Sequence, residues 1–535
     1  MAALKVILLS CLRLSAFHRL VILCIGMLVN ISSPDASAQS STLVKIDMES
    51  SSQRWQPIPE GFFGVHYPIL TAGSANRQPA AVDKMGEVLR RLNVDFVRFP
   101  AGTKANEWIP FGPGNEEREG DGPISAAMRV AKHLTGGGKW VWVINPSLKA
   151  DEIMKFLKKL YASNINVVAI EIGNELYEPK YRKEFENTSE YIDYLKQIVP
   201  PIKKAWPSIE IGVPVADPRL PSPWRRSGIW ESRLLSKNVG VSRLVRWNSE
   251  LAAAPKGLFD AVIIHPYIPL TEQSQLSRDN LMAYLFSFAA AEQEVIGQEI
   301  GRMFPGRDVW ATEYGILNHL ALDGANPKEK SRWQFGKSEA FAVVNADQTL
   351  RFLEAGATRV STHDLHNSQG FGLVQFNQRN EVINLPRYWI LSELGRLMKE
   401  YEQFAPLRLT GDSVLKTNIR HQRVKSVIEE GDARYESVSA WCFGKGSRCK
   451  EIVIINRSRE PITVALKDGG ELSRTWSFGS GQGLISAADE MIDWTNIPKQ
   501  LATPDLSNYY GNQVKVEGWS MAILVPGRNA CAPAE

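Results

Sequence analysis

The feature that most restricts the fold of this chain is a repeated alternation of short strands and amphipathic helices between residues 60 and 400. Amphipathic stretches recur at 81–92, 151–163, 189–205, 279–300 and 336–355. Eight β-branched or aromatic runs are predicted to be strands: Phe62–Tyr67, Val94–Pro100, Trp140–Asn145, Val167–Glu175, Ile209–Val215, Phe259–Tyr267, Val309–Tyr314 and Arg359–Leu365. Eight strands that alternate with helices over about 340 residues predict a (β/α)8 barrel.

A doubly wound open sheet is the competing fold for such an alternation. That fold needs a glycine-rich phosphate-binding turn directly after its first strand. Gly136, Gly137 and Gly138 precede a strand instead of opening a helix, and we interpret them as an ordinary turn. The barrel is therefore favoured, with predicted bounds of 60–402.

The pattern changes after residue 402, where helical periodicity ends. Short alternating runs separated by Gly, Asp and Ser turns predict an antiparallel β-sandwich over residues 403–535. A strand at Leu43–Met48, within the segment 39–59, is expected to join this sandwich, whose role is to support the barrel. The predicted strands are Val414–Asn418, Val424–Ile428, Ser437–Phe443, Glu451–Asn456, Ile462–Leu466, Leu472–Phe478 and Val514–Val525.

The first 38 residues have the features of an export signal. Lys5, Arg13 and Arg19 form a positively charged start, and an apolar run follows at 20–29. Small residues at 36–38 predict cleavage after Ala38, so a secreted or periplasmic protein is expected. An uncleaved anchor is less favoured, because a membrane span needs about twenty apolar residues. No membrane association is expected after cleavage.

Composition excludes several classes of protein. The chain is 44% hydrophobic and 22% charged, which does not fit a disordered or collagen-like chain. Its 62 basic and 58 acidic residues give a net charge of +4, too near neutral to indicate a nucleic-acid partner.

Cys442 and Cys449 flank a predicted hairpin tip, where a disulfide is plausible in an oxidising compartment. Cys531 has no predicted disulfide partner.

Two predicted strands end in a carboxylate. Glu175 follows strand four in the segment Ile172–Glu175, and Glu313 lies in strand seven in the segment Thr312–Gly315. The C-terminal ends of barrel strands line the active-site mouth, and strands four and seven lie on opposite sides of it. Two carboxylates that face each other across a cleft are what hydrolysis of a glycosidic bond requires. A structural ion-pair network is the competing interpretation.

The two carboxylate motifs resemble the retaining glycoside hydrolases of clan A. The resemblance implies that Glu175 is the acid/base and Glu313 the nucleophile. Arg98 matches the clan's arginine on strand two, which holds the nucleophile ionised. His265 and Tyr267 match a His and a Tyr that the clan places near the nucleophile at the end of strand six.

Asn174, directly before the predicted acid/base, is implied to bind the 2-hydroxyl of the sugar. The segment Arg98–Lys104 looks most like family 79, which holds β-glucuronidases and heparanase. Families 51 and 39, arabinofuranosidases and xylosidases, share similar frames and also carry a β-sandwich. Asn384–Trp389 resembles the chain that leaves the barrel in these families. Pro100-Ala101 departs from the pattern, which has glycine there, and leaves the family open.

Three further residues are candidates for substrate binding. Lys104, with Arg225 and Arg226, could recognise a uronate carboxylate, although an exposed charged loop suits the two arginines slightly better. Trp108 is a possible sugar platform, with core packing as the alternative. His366, just after strand eight, is expected to bind substrate and not a metal.

These features predict a secreted retaining O-glycoside hydrolase that acts on oligo- or polysaccharides by double displacement, with a β-glucuronidase-like enzyme as the leading candidate. An α-L-arabinofuranosidase, a β-xylosidase or an endo-glycanase of the same clan is the nearest alternative. A non-catalytic carbohydrate-binding protein on the same scaffold is the second, and a polysaccharide lyase is more remote. No metal or cofactor is expected, and no oligomeric state is predicted.

Overall fold

The structure is a computed structural model. It describes residues 42–48, 55–69, 78–100, 102–110, 122–217, 239–269, 278–317, 338–366, 372–410, 436–446, 448–479, 504–507 and 509–527. The predicted export signal, Ala101, Arg225, Arg226, Cys531 and the predicted strands Val414–Asn418 and Val424–Ile428 lie outside the described residues.

The described strands run along the chain as follows: β1 Thr42–Asp47, β2 Gln56–Pro57, β3 Phe63–His66, β4 Phe96–Phe99, β5 Lys139–Ile144, β6 Asn166–Ile172, β7 Glu210–Pro214, β8 Ala261–Ile264, β9 Tyr267–Pro269, β10 Asp308–Leu317, β11 Arg359–Thr362, β12 Val374–Phe376, β13 Val382–Asn384, β14 Gln403–Pro406, β15 Arg408–Thr410, β16 Val438–Lys445, β17 Arg448–Asn456, β18 Ile462–Leu466, β19 Leu472–Phe478, β20 Tyr509–Gly511, β21 Gln513–Val516 and β22 Ser520–Pro526. The α-helices are α1 Pro79–Arg91, α2 Pro123–Ala131, α3 Ala150–Ala162, α4 Thr188–Ala205, α5 Val239–Ala252, α6 Arg278–Glu294, α7 Gly301–Met303, α8 Glu339–Glu354 and α9 Pro386–Glu400, with a π-helical stretch at Val295–Ile300.

Eight parallel strands close into a barrel. Their order is β3, β4, β5, β6, β7, β8, β10 and β11, and β11 pairs back onto β3 through Val360 opposite Phe63. Each of these strands coincides with one of the eight predicted runs. The predicted (β/α)8 barrel is therefore confirmed, and the open doubly wound sheet is excluded.

Large side chains fill the barrel interior because two strands carry glycine where these side chains enter. A Cβ at Gly64 would lie 2.4 Å from the Phe96 ring, and a Cβ at Gly212 would lie 2.5 Å from the Trp310 ring. The interior cluster consists of Phe96, Val141, Ala169, Ala261, Ile263 and Trp310. Alternate small and large residues thus pack the closed barrel to the density of a protein core.

Polar residues follow this apolar layer on the same strand faces. Side chains two positions apart point to the same side of a strand, so His66 follows Gly64, Arg98 follows Phe96 and Glu171 follows Ala169. His66, Arg98 and Glu171 are completely buried. The barrel therefore carries a buried polar layer directly below its C-terminal mouth.

The helices cover the outside of the barrel with one apolar face each. In α3, Ile153, Phe156, Leu157 and Leu160 are buried at helical spacing. Helix α4 begins after Asn187, whose side chain accepts a hydrogen bond from the Glu190 amide and caps the helix. Among the described helices, none has the length and apolar character that a membrane crossing requires.

The remaining strands form two antiparallel sheets. One has the order β15-β1-β18-β21, and the other has the order β2-β14-β16-β17-β22-β19-β20. The N-terminal strand β1 pairs with β15, with Lys45 opposite Thr410. The predicted C-terminal antiparallel β-sandwich is confirmed, and its separate core includes Val44, Ile454 and Val464.

The prediction of one strand over Val514–Val525 is wrong. The segment forms β21 and β22, which belong to different sheets. A turn separates them, in which Trp519 adopts a left-handed φ of 44°. A Cβ at Gly518 would lie 1.8 Å from the Arg459 carbonyl oxygen, so the close approach requires glycine.

Cys442 and Cys449 are joined by a disulfide, with their Cα atoms 5.6 Å apart. It links β16 to β17 across the predicted hairpin. At the tip, Gly446 has a positive φ of 56°, a conformation that favours glycine. A Cβ at Gly444 would lie 1.9 Å from the Arg448 carbonyl oxygen. Both glycines are therefore part of the turn that brings the two cysteines together.

A buried ion pair joins the barrel to the sandwich. Asp347 lies on α8, which is buried over its whole length from Ala340 to Leu353. Arg457, just after β17, donates through Nε to Asp347 Oδ2 at 3.1 Å and forms a second bond to Oδ1. Arg351 also donates to Asp347 at 3.0 Å. Burial alone would raise the pKa of Asp347, but the two arginines outweigh it and lower this pKa.

We expect Asp347→Asn to lower the free energy of unfolding by about 3–5 kcal/mol, because it leaves buried arginine charge without its partner. Guanidinium chloride denaturation of the full chain at neutral pH measures this loss. Glu87→Gln is the matched control, since its pair with Arg90 is about half exposed and is screened by water, so little change in stability is expected. A loss below about 1 kcal/mol in Asp347→Asn would contradict the assignment.

Candidate active site

Glu175 and Glu313 face each other at the C-terminal mouth of the barrel. Glu175 lies just beyond β6, and Glu313 lies within β10. One carboxylate oxygen of each residue falls within a cluster whose atoms are all within 4.8 Å of one another. Their side chains are 18% and 7% exposed, so both carboxylates lie in a largely desolvated cleft that still opens to solvent.

Glycine and strained backbone direct Glu175 into the cleft. The chain leaves β6 through Gly173, with φ of 80°, and Glu175 itself has a left-handed φ of 51°. A Cβ at Gly173 would lie 2.4 Å from Leu176 Cδ1. Positive φ at a non-glycine residue is unfavourable and persists where the surroundings hold it. The Asn106 side chain does so: it donates to the Asn174 carbonyl at 2.8 Å and accepts from the Asn174 amide at 2.7 Å.

Arg243 holds the loop that follows Glu175. Its guanidinium donates to the carbonyl oxygens of Leu176 at 2.9 Å, Tyr177 at 3.1 Å and Glu186 at 2.6 Å. Three charge-assisted bonds to backbone make this loop a fixed part of the site.

A strand irregularity directs Glu313. The pairing of β10 with β11 shifts register between Ala311 and Tyr314. Such bulges re-aim side chains next to binding sites, and Glu313 lies inside this one.

Arg98 is the buried centre of the site. Its Nε contacts both carboxylate oxygens of Glu171, at 3.0 and 2.9 Å, and its Nη2 donates to Glu171 Oε2 at 2.6 Å. Its Nη1 donates to Glu313 Oε1 at 2.5 Å and to His66 Nδ1 at 3.1 Å, and Nη2 reaches Asn174 Oδ1 at 2.9 Å. One guanidinium therefore orients four residues, which come from β3, β10 and the C-terminal end of β6.

The surroundings keep Glu313 ionised. Burial alone would raise the pKa of its carboxyl group, but His265, Arg98, His66 and His363 together hold this pKa well below the usual value of 4.5. The Tyr267 hydroxyl also donates to Glu313 Oε2 at 2.7 Å. Hydrogen bonds and positive charge both favour the charged form.

Glu175 forms a hydrogen bond with His265. His265 Nδ1 donates to Glu175 Oε1 at 3.1 Å. Burial raises the pKa of Glu175 and lowers that of His265, yet the mutual interaction, together with the Glu313 charge at His265, leaves the Glu175 pKa lowered and the His265 pKa raised. Both directions favour a Glu175 carboxylate beside a protonated His265 imidazole, with the proton on His265 Nδ1 directed at Glu175 Oε1.

The structure adds four residues that the sequence analysis did not single out. Glu171 and His66 both contact Arg98, and His363 Nδ1 lies 3.9 Å from Glu313 Oε2 and 3.2 Å from His66 Nδ1. Asn106 holds the backbone of Asn174, directly before Glu175. Strand alternation could have identified Glu171 and His66, which lie on the same faces as Ala169 and Gly64; no sequence signal marks Asn106.

Of the predicted site residues, Arg98, Asn174, Glu175, His265, Tyr267 and Glu313 are brought together. Three others have different surroundings. Lys104 forms an exposed ion pair with Glu107 at 2.6 Å. Trp108 is 9% exposed and packs against Trp142 and Phe156, as the core-packing alternative expected. The described ring contact of His366 is with Phe376, at 5.1 Å between centroids.

Within the part of the chain that the structure describes, two sets of side chains have the composition of a metal site. They are His66, Glu313 and His363, and Glu175, His265 and Glu313. Glu313 belongs to both, and its Oε1 is already bound by the Arg98 guanidinium, which also donates to His66 Nδ1. A metal ion in the first set would compete with a buried cation held by Glu171. The donor atoms are therefore better matched to charged hydrogen bonding than to metal ligation.

The arrangement supplies two different chemical functions. Glu313 is an ionised carboxylate held by donors, as a nucleophile requires. Glu175 is a carboxyl group with a proton partner and partial exposure, as a general acid and base requires. The short distance between them suits retention, for which carboxyl groups about 5–5.5 Å apart are typical.

Comparison with known proteins shows the fold. No protein-family model matches the chain, and a search of curated proteins found no match. A GH51 arabinofuranosidase from Xanthomonas axonopodis pv. citri matches with a TM-score of 0.61 and 14% identity over 91% of this chain and 100% of that one. A 4-O-α-L-rhamnosyl-β-D-glucuronidase from Fusarium oxysporum 12S has a TM-score of 0.53 and 11% identity over 90% and 100%. A conserved exported protein from Bacteroides fragilis has a TM-score of 0.54 and 12% identity over 90% and 100%. The likeness confirms, at the level of fold, the resemblance to clan A glycoside hydrolases.

We expect Arg98→Met to destabilise the protein by about 3–5 kcal/mol near pH 7.5, because Glu171 and Glu313 lose their shared cation. Without that cation the Glu313 pKa in the folded state rises. A raised folded-state pKa favours the folded protein as pH falls. The difference in unfolding free energy between wild type and Arg98→Met should therefore be smaller near pH 5. Denaturant unfolding at both pH values measures this. In Arg98→Met/Glu171→Gln, one carboxylate charge is also removed, and we expect at least about 1 kcal/mol of recovery. An equal deficit at both pH values without recovery would contradict the electrostatic account.

Proposed function

We propose that the protein is a secreted, metal-independent retaining O-glycoside hydrolase that acts on oligo- or polysaccharides. The observation that carries the proposal is the pair of carboxylates, Glu175 and Glu313, that face each other at the barrel mouth with different hydrogen-bond partners. Glu313 is surrounded by positive charge and donors, and its pKa lies well below the usual value. Glu175 is hydrogen-bonded to His265 Nδ1, a neighbouring group that can supply a proton. Two carboxyl groups with divided roles are the requirement for double displacement.

In the first step, the Glu313 carboxylate attacks the anomeric carbon while the bond from that carbon to the leaving oxygen breaks. Glu175 delivers a proton to the leaving oxygen. The proton held between His265 Nδ1 and Glu175 Oε1 can move to Glu175 as negative charge develops beside it, because the two atoms are 3.1 Å apart. The product is a covalent glycosyl ester of Glu313 and a free alcohol.

In the second step, water attacks the anomeric carbon and displaces Glu313. Glu175, now a carboxylate, accepts a proton from this water and returns to its starting state together with His265. The positive charge around Glu313 also makes it a good leaving group, since it stabilises the carboxylate that is released. Two inversions at the anomeric carbon give net retention.

Neighbouring residues support these steps. Asn174 is proposed to bind the sugar 2-hydroxyl, and its side chain is oriented by Arg98 at 2.9 Å. Tyr267 donates to Glu313 at 2.7 Å and would keep the attacking oxygen aimed. Such contacts strengthen in the transition state, where they lower the barrier. Lys104, Trp108 and His366 stay proposed contacts for more distant parts of the substrate.

The leading substrate class is a β-glucuronide, as the resemblance of Arg98–Lys104 to family 79 implies. An α-L-arabinofuranoside is the second candidate, because the arabinofuranosidase fold matches with a TM-score of 0.61 against 0.53 for the glucuronidase. A β-xyloside or an endo-acting enzyme of the same clan follows. Export is proposed from the N-terminal segment, and a matching fold occurs in a protein described as exported.

We expect wild type to hydrolyse one member of a panel of aryl β-glucuronide, α-arabinofuranoside, β-xyloside and β-glucoside, with retained configuration in the product by NMR. Glu313→Gln should lose at least about a thousandfold in kcat/KM, equal to about 4 kcal/mol of transition-state stabilisation. Glu175→Gln should lose most on poor leaving groups, because activated aryl groups leave without a proton.

Glu87→Gln, an exposed carboxylate on α1, is the control and should keep full activity. Inverted product, or equal activity in Glu313→Gln, would refute the proposal. If all aryl glycosides stay intact, the same variants should be compared on long glycan chains. Binding of those chains without any cleavage by wild type would support a non-catalytic carbohydrate-binding protein.

We expect activity to persist into acid. The Glu313 pKa is well below 4.5, so the nucleophile becomes protonated, and the acid limb of kcat/KM falls, only below that pH. Tyr267→Phe removes one donor to Glu313 and should move this limb to higher pH, while lowering kcat by about 10- to 100-fold. Profiles from about pH 3 to 9 measure both effects, and an acid limb at about pH 6 in wild type would count against Glu313 as the nucleophile.

A further inference from the structure

The loop after Glu175 carries a second acid and a lysine that turn back toward it. The Glu178 amide donates to the Glu175 carbonyl at 2.9 Å, and the Tyr181 amide donates to the Glu178 carbonyl at 3.1 Å. Pro179 begins the short 3-10 helix Pro179–Tyr181. These two successive turns bring the side chains of Glu178 and Lys180 to the same side as Glu175.

Lys180 bridges the two acids. Its Nζ forms an ion pair with Glu178 Oε2 and lies 3.9 Å from Glu175 Oε2. The other Glu175 oxygen, Oε1, is bound by His265. Each oxygen of Glu175 therefore faces a different cation, and one of those cations is shared with a second carboxylate.

The bridge is more than an ordinary surface ion pair. Glu178 and Glu175 are each 18% exposed, and Lys180 is 47% exposed. Exposed pairs are strongly screened by water and salt. Here the two carboxylates lie out of water and only the ammonium reaches solvent, so their charges act on each other with less screening.

We propose that Lys180 and Glu178 are positioning residues that determine how firmly Glu175 holds its proton. The proposal rests on the glycosidase function proposed above. The ammonium of Lys180 stabilises the Glu175 carboxylate and so weakens its hold on the proton. Glu178 attracts that ammonium and adds a negative charge near Glu175. Both effects raise the affinity of Glu175 for its proton. The two residues act in opposite directions.

Other charged groups also face this cluster. His265 at the end of β8 and Glu313 on β10 approach Glu175 from across the cleft, and the Tyr177 hydroxyl lies in the field of both Glu175 and Glu178. Burial, followed by the charge of Glu175, raises the pKa of Glu178 to about 7. As pH rises through this value Glu178 becomes charged and competes for Lys180. Glu175 then keeps its proton to higher pH, which extends the alkaline range of a general acid.

The test is the alkaline limb of kcat/KM on the aryl glycoside that wild type hydrolyses. Lys180→Met should move this limb up by about 0.5–1 pH unit, and Glu178→Gln should move it down by a similar amount. Lys180→Arg keeps the charge and should leave the limb in place. Lys196→Met is the matched control, since Lys196 is 51% exposed and pairs with Asp193 on α4 at 2.8 Å; its profile should equal wild type.

The proposal is overturned if the alkaline limb shifts in the same direction in Lys180→Met and Glu178→Gln, or if it shifts in neither. A merely structural role would lower kcat without moving this limb. Circular dichroism confirms that each variant is folded. If Lys180→Met is not folded, Lys180→Gln replaces it, because it also removes the charge. A ¹³C NMR titration of labelled glutamate, assigned with Glu175→Gln, follows the Glu175 proton without substrate. Opposite pKa shifts of Glu175 in this titration support the positioning role of Lys180 and Glu178 even if the aryl glycosides stay intact. Failure of the positioning role can therefore be distinguished from failure of the proposed glycosidase function.

Discussion

The candidate site depends on one buried guanidinium. Arg98 is completely buried, and its charge is balanced by Glu171 on one side and Glu313 on the other. A buried charge is tolerated only when it is paired and its donors are satisfied, so the surrounding side chains have little freedom to move. This constraint holds Glu313 ionised and orients Asn174 beside Glu175. The geometry of both carboxylates therefore follows from the need to neutralise a cation deep in the barrel.

The sequence predicted the parts of the fold that strand periodicity controls. All eight barrel strands were identified, because a buried parallel strand is a short run of β-branched and aromatic residues bounded by turns. The same rule located Glu175 and Glu313 at strand ends, whereas Arg98 and His265 were identified through the resemblance to clan A. In the sandwich, the predicted strands overlap β1, β16, β17, β18 and β19, whereas β14, β15 and β20 were not predicted. Val514–Val525 is interrupted by the close approach of Gly518 to Arg459, a tertiary contact that no local pattern records.

Residues supplied by irregular segments could not be predicted. Asn106 belongs to a short 3-10 turn, yet it holds the backbone of Asn174 some 68 positions away in sequence. Lys180 reaches Glu175 only because two consecutive turns reverse the chain. Trp108 is a case where sequence leaves both interpretations open: it is a candidate sugar platform, and its ring packs against Trp142 and Phe156. Composition and spacing cannot separate these cases, because burial is decided by the folded neighbours.

The buried helix α8 makes the barrel depend on the sandwich. Its sandwich-facing side is as fully buried as its barrel-facing side, and Asp347 on it is paired with Arg457 of the sandwich. A recombination event that exchanged the sandwich for an unrelated module would uncover an apolar helix and remove one of the two arginines that balance a buried carboxylate. The barrel therefore contains a helix whose burial and charge balance both require this sandwich.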